Sequence, residues 1–424
     1  MKKIIAQFLF LMFLLPVSCA KRGFDGAADY MLSIQAPAPE EQENSIVFST
    51  AEAELSASWN EAAYSMLKEV YAGESFVISP LCFQTVLSMI LSGCTGETAG
   101  ELRTFLRAGS LSNQAVQDFC NKYLRGLPAL DLSITMRMLN ALVYSNQYEV
   151  NKDFSQQMER LFYAPCVPMD FSKSEEVLEA VNDWCAQSTD GRVPSILSSV
   201  HPDDVSYLLG SILFKATLNR FFLEGNTAED NFYISGDKNV KVQMMHAIKK
   251  SFLYGEETDY RYVSIPVGEQ GAFNLTIVLP QEGKSLDTVL EQLGRRKTLL
   301  KGERSHGEIS LPRYKISTGI VLNDLLKGSG VRKAFTPSAD YTLLRGGKPY
   351  FYIGEVRQNA VFSIDENGID AAAITMTSIR SAVSDEDVPP VSFVANRPFA
   401  FFVTESASQS GLVLFEGVFM GNGN

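Results

Sequence analysis

The spacing of apolar residues changes character several times along the chain. Lys2 and Lys3 precede an apolar run from Ile4 to Val17, broken only by Gln7. That run is too short to span a bilayer comfortably, and a basic start before a short apolar centre is the layout of a signal peptide. Residues 20–55 then lose all apolar periodicity. They carry Gly, Ala, Ser, Pro and acids, including Ala36-Pro37-Ala38-Pro39-Glu40-Glu41, and this composition predicts a flexible tether. Helical spacing follows. Trp59 to Tyr71 predicts one helix, and Ser79-Pro80 supplies an N-cap and a first-turn proline for a second over Leu81 to Ser92. Thr98-Ala99-Gly100-Glu101 has capping-box spacing, with Leu102, Phe105 and Leu106 on one face behind it. Another helix is predicted from Ser174 to Thr189, with Val177, Val181, Trp184 and Cys185 inward. The second half turns to strands. Tyr262 to Val267 and Phe273 to Leu279 are joined by Gly268-Glu269-Gln270-Gly271, a hairpin pattern, and Pro398 to Thr404 with Leu412 to Met420 form a second. Helices first and antiparallel strands later predict an α+β architecture. No second linker and no internal repeat interrupts residues 56–424, so they read as one domain.

Composition narrows the function. The chain has 424 residues, 49 acidic and 37 basic, for a net charge of −12, and 46% of it is hydrophobic. Such a chain buries a large core, and its acidity argues against nucleic acid, which demands a basic face. There are three histidines, too few to suggest a histidine-based centre. His201 sits beside Pro202 and two aspartates in an expected turn, and His306 lies among charges and is expected to be exposed. The cysteines Cys82, Cys94, Cys120, Cys166 and Cys185 form no C-x-x-C pair, and disulfides are not expected. No nucleophile elbow, zinc helix, P-loop or dinucleotide fingerprint occurs, and Gly346-Gly347-Lys348 lacks P-loop spacing. Neither catalysis nor a metal or other cofactor is expected.

Two segments carry more information. Leu15-Pro16-Val17-Ser18-Cys19 resembles the lipobox of bacterial lipoproteins, although Pro16 stands where leucine is usual. The resemblance implies a signal peptide over 1–18, acylation of Cys19 and a lipidated tether over 19–55. Ala20, rather than aspartate, points to the outer membrane of a diderm bacterium. Cleavage would remove Lys2 and Lys3 and take the charge from −12 to −14. The second segment begins Asp365-Glu366-Asn367-Gly368-Ile369-Asp370, continues through Ala371-Ala372-Ala373-Ile374-Thr375 and ends in the acidic Asp385-Glu386-Asp387. It separates two strand-like runs, Ala360 to Ile364 and Val391 to Val394. A loop that long is commonly functional. Ala371 to Ala373 are small enough to pass between strands, and Ile374 and Thr375 favour a strand. Triple alanine equally favours a helix followed by a connector, and the residues alone leave both open.

Here the chain resembles the serpin family. Asp365 to Ala373 is similar to the serpin hinge, and Phe393-Val394-Ala395-Asn396-Arg397-Pro398-Phe399 to the strand after the reactive loop. Upstream, Phe76-Val77-Ile78-Ser79-Pro80-Leu81, Gly96-Glu97-Thr98-Ala99, Asn182-Asp183-Trp184, Thr189-Asp190-Gly191-Arg192-Val193, Leu213-Phe214-Lys215, Asn226-Thr227, Met244-Met245 and Leu311-Pro312-Arg313-Tyr314-Lys315 follow the family's order. The resemblance implies a serpin fold, with about nine helices around three β-sheets and an exposed reactive-centre loop. It also implies a suicide inhibitor of serine proteases. The target would attack a bait bond, and the cut loop would insert into the main sheet before the acyl-enzyme hydrolyses. The hinge would be Glu366, Gly368, Ile369, Asp370, Ala371, Ala372 and Ala373.

Spacing within the family pattern places the bait among Ala382, Val383 and Ser384, with Ala382–Val383 first. Small side chains there suit elastase-like proteases. Arg380 would suit a trypsin-like enzyme, and a cysteine protease or a non-inhibitory binding or storage role are the alternatives. The implied partners are a target protease in covalent complex and a membrane through the lipid anchor, with the chain itself a monomer. The sequence departs from the family pattern at Cys82, Gly210 and Gln358, where serine, asparagine and histidine are usual, and at Leu218 and Ile369. The first three belong to the region beneath the opening sheet, so a rebuilt hydrogen-bond network is expected there.

Overall fold

Local capping and period account for most elements of the computed structural model, which describes residues 26–189, 191–218, 221–235, 238–344, 351–366, 389–408 and 411–422. The helices are α1 (Ala27–Ser33), α2 (Thr50–Val70), α3 (Pro80–Leu91), α4 (Gly96–Phe105), α5 (Asn113–Ala129), α6 (Lys152–Phe162), α7 (Ser174–Ser188), α8 (Leu286–Leu293) and α9 (Asn323–Gly328). The strands are β1 (Phe76–Ile78), β2 (Thr135–Ser145), β3 (Cys166–Met169), β4 (Ser206–Thr217), β5 (Thr227–Ser235), β6 (Lys238–Glu256), β7 (Tyr260–Val267), β8 (Phe273–Pro280), β9 (Glu303–Pro312), β10 (Tyr314–Val321), β11 (Glu355–Asp365), β12 (Val391–Val394), β13 (Phe399–Glu405) and β14 (Leu412–Phe419).

The α+β expectation holds, and the strands hydrogen-bond as two continuous sheets. One has five strands in the order β10-β11-β4-β2-β3. The other has nine, running β1-β14-β13-β8-β7-β6-β9-β12 with β5 on β6. Two of the three implied sheets merge here because β6 is 19 residues long and pairs with β5, β7 and β9 along its length. The hairpins β7–β8 and β13–β14 form where alternation predicts them. The main core lies between the sheets, where Phe214, Phe362, Phe401 and Phe415 interlock.

α3 starts as its sequence predicts: the Ser79 hydroxyl accepts from the Cys82 N–H at 3.1 Å, with Pro80 in the first turn. The expected capping box at Thr98 and Glu101 does not form. α4 already begins at Gly96, and the two side chains serve a distant segment instead. Thr98 Oγ1 accepts from the Asp340 N–H at 2.9 Å, and Glu101 Oε2 accepts from the N–H groups of Arg332 and Lys333 at 2.8 and 2.7 Å. His306 is half-buried on β9 rather than exposed.

The largest departure concerns the expected tether. Its first part, with Cys19, lies outside the described residues, but α1 and the stretch from Ile46 onward are built into the fold, while most of residues 37–45 between them are exposed. α1 packs on α7 and buries Met31 completely. Ile46 is buried against Gly126 of α5, the Phe48 ring packs tilted on Phe119 with centroids 5.2 Å apart, and the Glu43 N–H donates to the Ala129 carbonyl at 2.8 Å. α2 starts at Thr50 behind a Ser49–Glu52 capping box. Isolated apolar anchors in a polar stretch leave no period to detect, yet each can bury fully once a surface is provided.

Candidate functional site

Within the five-stranded sheet, β4 and β11 pair in parallel along their whole overlap, from Glu355 opposite Tyr207 to Asp365 opposite Thr217. Their outer neighbours β2 and β10 run antiparallel to them. A chain that leaves β11 and turns back would run antiparallel to both β11 and β4. Laid between them, it would replace one parallel pairing by two antiparallel ones, which are somewhat stronger per residue. The β4–β11 seam is therefore where this sheet can gain by accepting a strand.

Beneath the seam lies the start of α3. Gln358 of β11 is buried; its Oε1 accepts from the Ser79 N–H at 2.9 Å and its Nε2 donates to the Ser79 carbonyl at 2.8 Å. Opposite Gln358, Gly210 of β4 leaves room for the thiol of Cys82. A Cβ on Gly210 would lie 2.9 Å from Cys82 Sγ and 3.1 Å from Val86 Cγ1. On the next strand Asn140 Nδ2 donates to the Phe162 carbonyl at 3.4 Å, and its buried Oδ1 has no partner among the described residues. The three departures at positions 82, 210 and 358 thus form one rearranged unit. A missing side chain admits sulfur, and an amide ties the helix start to β11.

Over the other face, α7 and residues 193–200 form a lid. Val177, Val181, Trp184 and Cys185 share an apolar cluster with Leu209 and Leu213 of β4 and Val361 of β11. Asn182 holds the returning chain: its Oδ1 accepts from the N–H groups of Ile196 and Leu197 at 2.8 and 2.9 Å, and its Nδ2 donates to the Leu197 carbonyl at 3.0 Å. The lid bonds to both sides of the seam, through Cys185 Sγ to Ser211 Oγ of β4 at 3.8 Å and through Asn359 Nδ2 of β11 to the Ser195 carbonyl.

At the seam's upper end, just past β11, stands Glu366, whose side chain is fully buried. Arg313 binds it with two guanidinium nitrogens, Nε at 3.1 Å to Oε2 and Nη2 to Oε1. Thr227 Oγ1 donates to Oε1 at 2.6 Å. Burial pushes the Glu366 carboxyl up, but the Arg313 and Thr227 hydrogen bonds outweigh it and hold it below the usual range. The pair ties the end of β11 to the link between β9 and β10, while Thr227 brings in the start of β5 in the other sheet. Sequence reasoning placed Glu366 in the hinge but gave Arg313 and Thr227 no role. The usable signal was the buried acid itself, which needs a cation and a donor.

Of the other expected site residues, Gly368, Ile369, Asp370, Ala371, Ala372, Ala373, Ala382, Val383 and Ser384 lie outside the described residues. The chain re-enters at β12, which pairs in parallel with β9. There Arg261 donates to the Ser392 carbonyl at 3.1 Å and lies over the Phe393 ring. Cys82, Cys94, Cys120, Cys166 and Cys185 are all buried and unpaired, and burial pushes each thiol up to about 12, far from nucleophilic use. Among the described residues no group of three or more His, Cys, Asp or Glu is placed to hold a metal, and no helix is long and apolar enough to cross a membrane.

Known proteins place this architecture. A family model described as "Serpin (serine protease inhibitor)" matches residues 57–421. Antichymotrypsin-2 of Bombyx mori is 30% identical over 364 residues, covering 82% of this chain and 92% of that protein. Among solved structures, Serpin48 of Tenebrio molitor superposes with a TM-score of 0.77 at 23% identity, covering 88% of this chain and 99% of the other. The native stressed conformation of Arabidopsis AtSerpin1 gives 0.75 at 22% identity, covering 88% of this chain and 99% of the other.

Proposed function

The chain belongs to the serpin family, and we propose that it is a suicide inhibitor of serine proteases with elastase-like preference for small residues. The observation that carries this reading is the closed parallel seam, which leads out of β11 through Glu366 into the hinge. The target's serine Oγ attacks the Ala382 carbonyl, the Val383 amine leaves, and Ala382 stays ester-linked to the protease. The hinge then folds back as a strand between β4 and β11. Small residues at Ala371 to Ala373 enter without a bulky or charged side chain to bury. About fifteen inserted residues span roughly 50 Å, enough to carry the protease to the far end of the sheet. A displacement that distorts its catalytic groups by an ångström leaves the ester unhydrolysed. The inhibitor needs no catalytic group of its own, which fits a chain whose five described thiols are buried and unactivated.

The decisive experiment incubates the protein with a protease panel, looks for denaturant-resistant complexes, and sequences the released peptide. We expect complexes with elastase-like enzymes and a peptide beginning at Val383. Ala371→Arg would bury an unpaired charge on insertion and convert inhibitor to substrate; complexes formed undiminished by that variant would overturn the mechanism. Cleavage of the loop without any gain in melting temperature would favour a non-inhibitory binding role.

The proposal extends to location. The basic-then-apolar leader and Cys19 support export and lipid anchoring at the outer membrane, with a monomeric inhibitory domain outside the bilayer. Cys19→Ala should release the protein from membranes into the soluble fraction; unchanged membrane recovery would sink the anchor.

A further inference from the structure

The segment before the family-matched region makes contacts that bear on the seam. α1 lies outside residues 57–421 and packs on α7, the helix of the lid. Met31 is completely buried in the cluster that holds Val177, Val181 and Trp184. Tyr30 reaches the other way, its hydroxyl donating to Glu159 of α6. Gln35 Nε2 donates to Ser188 Oγ, at the last residue of α7, at 3.4 Å. Ser188 is itself tied to the sheet, because its carbonyl accepts from Arg137 of β2 at 2.8 Å. Residues 27–35 therefore fasten both the body and the end of α7 and join them to α6.

The lid bridges the seam, and that makes its fastening consequential. A strand entering between β4 and β11 separates them by about 4.8 Å more, the spacing of neighbouring strands. The lid's bond to Ser211 on β4 and its bond from Asn359 on β11 cannot both survive that widening if α7 stays fixed. α7 must slide or lift, and with α1 seated it can do so only by exposing Met31 and giving up the Tyr30 and Gln35 bonds.

We infer that residues 27–35 are a strap that holds α7 against the five-stranded sheet and so sets how readily the β4–β11 seam opens. The strap's bearing on inhibition rests on the insertion mechanism proposed above; its grip on α7 does not.

Hydrogen exchange on the full chain tests it. Met31→Asp should raise the exchange of α7 and of the β4 and β11 amides about tenfold, while α2, β13 and β14 keep their rates. Tyr30→Phe, which leaves the helix intact, should raise the same amides a few-fold. After the loop is nicked, both variants should acquire heat resistance faster than the parent, in the same order. The strap is overturned if exchange rises only within residues 26–48 while α7 and the seam keep parental rates. If Met31→Asp loosens the whole chain, Tyr30→Phe decides, and unchanged α7 exchange in that variant overturns the proposal. Faster α7 exchange in a protein that gains no heat resistance on nicking would keep the strap and remove the insertion mechanism. Heat resistance on nicking with unchanged α7 exchange would do the reverse.

Discussion

The two sheets of this molecule solve opposite problems. In the nine-stranded sheet, β8, β13 and β14 pair antiparallel, and the face toward the core is lined with rings: Phe401 lies 5.0 Å from Phe362, and Tyr314 lies 4.7 Å from Phe419. Such a face loses buried area and ring contacts with any shift, so it holds its register. Midway along the β4–β11 seam Gly210 faces Gln358 and Ser211 faces Asn359, while nearer Glu366 Phe214 stacks on Phe362 across it. The amides there bond out of the sheet, to Ser79 below and Ser195 above. Both sheets share the buried rings between them, and the five-stranded sheet adds a few polar ties above, below and at the end of its seam. Under the insertion mechanism proposed above, such polar ties suit this sheet, because they can release one at a time.

The same contrast appears in two buried carboxyls. Glu366, at the seam's end, is matched by Arg313 and Thr227. Glu416, in β14, is fully buried with no partner for either oxygen among the described residues. The largest effect should come from reversing the first. Glu366→Lys sets a second cation against Arg313 where the wild-type side chain has no exposure, and should cost about 3–5 kcal/mol. Thermal unfolding should fall by many degrees, with the seam amides exchanging first. A variant as stable as the parent would mean that Glu366 is no latch.

The latches were the part of the site hardest to read from sequence. α3, α7 and both hairpins are legible because their signals are local: Ser79-Pro80 caps the helix it precedes, and Val177, Val181, Trp184 and Cys185 repeat at helical spacing. The seam is not local. Leu209 and Arg357 are far apart in the chain and pair in parallel, which no alternation within either strand announces. Arg313 and Thr227 come to Glu366 from distant parts of the chain, the link between β9 and β10 and the start of β5. Family resemblance supplied the hinge and identified Cys82, Gly210 and Gln358 as departures. It did not supply their mutual fit, which depends on a sulfur lying under a glycine. The segment before α2 is hard to read for a further reason: Met31 of the strap and Ile46 beyond it are single anchors in a stretch whose composition reads as tether.

Glu416 sharpens the comparison from the other side. It lies opposite Phe402 and Ile78, and Phe402 in turn packs on Tyr64 at 4.7 Å. Burial without a partner pushes its carboxyl well above the usual range, because it penalises the charged form. A group whose pKa is raised by folding stabilises fully below its unfolded value of about 4.3, and that contribution is lost as pH rises toward the folded value. Stability should therefore decline with pH from this residue. Glu416→Gln, neutral at every pH, should match the parent near pH 4 and exceed it by a growing margin as the pH rises toward neutrality. Denaturant melts of the two proteins at pH 4.5, 6 and 7.5 measure the gap, and a pH-independent gap would show that the carboxyl finds a partner.

The smallest expected effect is the most specific to the seam. Gly210→Ala places a methyl 2.9 Å from Cys82 Sγ and 3.1 Å from Val86 Cγ1, both on the rigid face of α3. Overpacking of that kind costs about 1–3 kcal/mol. Cys82→Ala alone leaves a small cavity and should cost about 1 kcal/mol. Together the two changes exchange one volume for the other, so the double variant should be more stable than the sum of the singles predicts, by about 1 kcal/mol of coupling. Simple additivity would mean that α3 moves away from β4 at no cost. The fit beneath the seam would then be incidental, and the resistance to opening there would rest on Gln358 and its two bonds to Ser79.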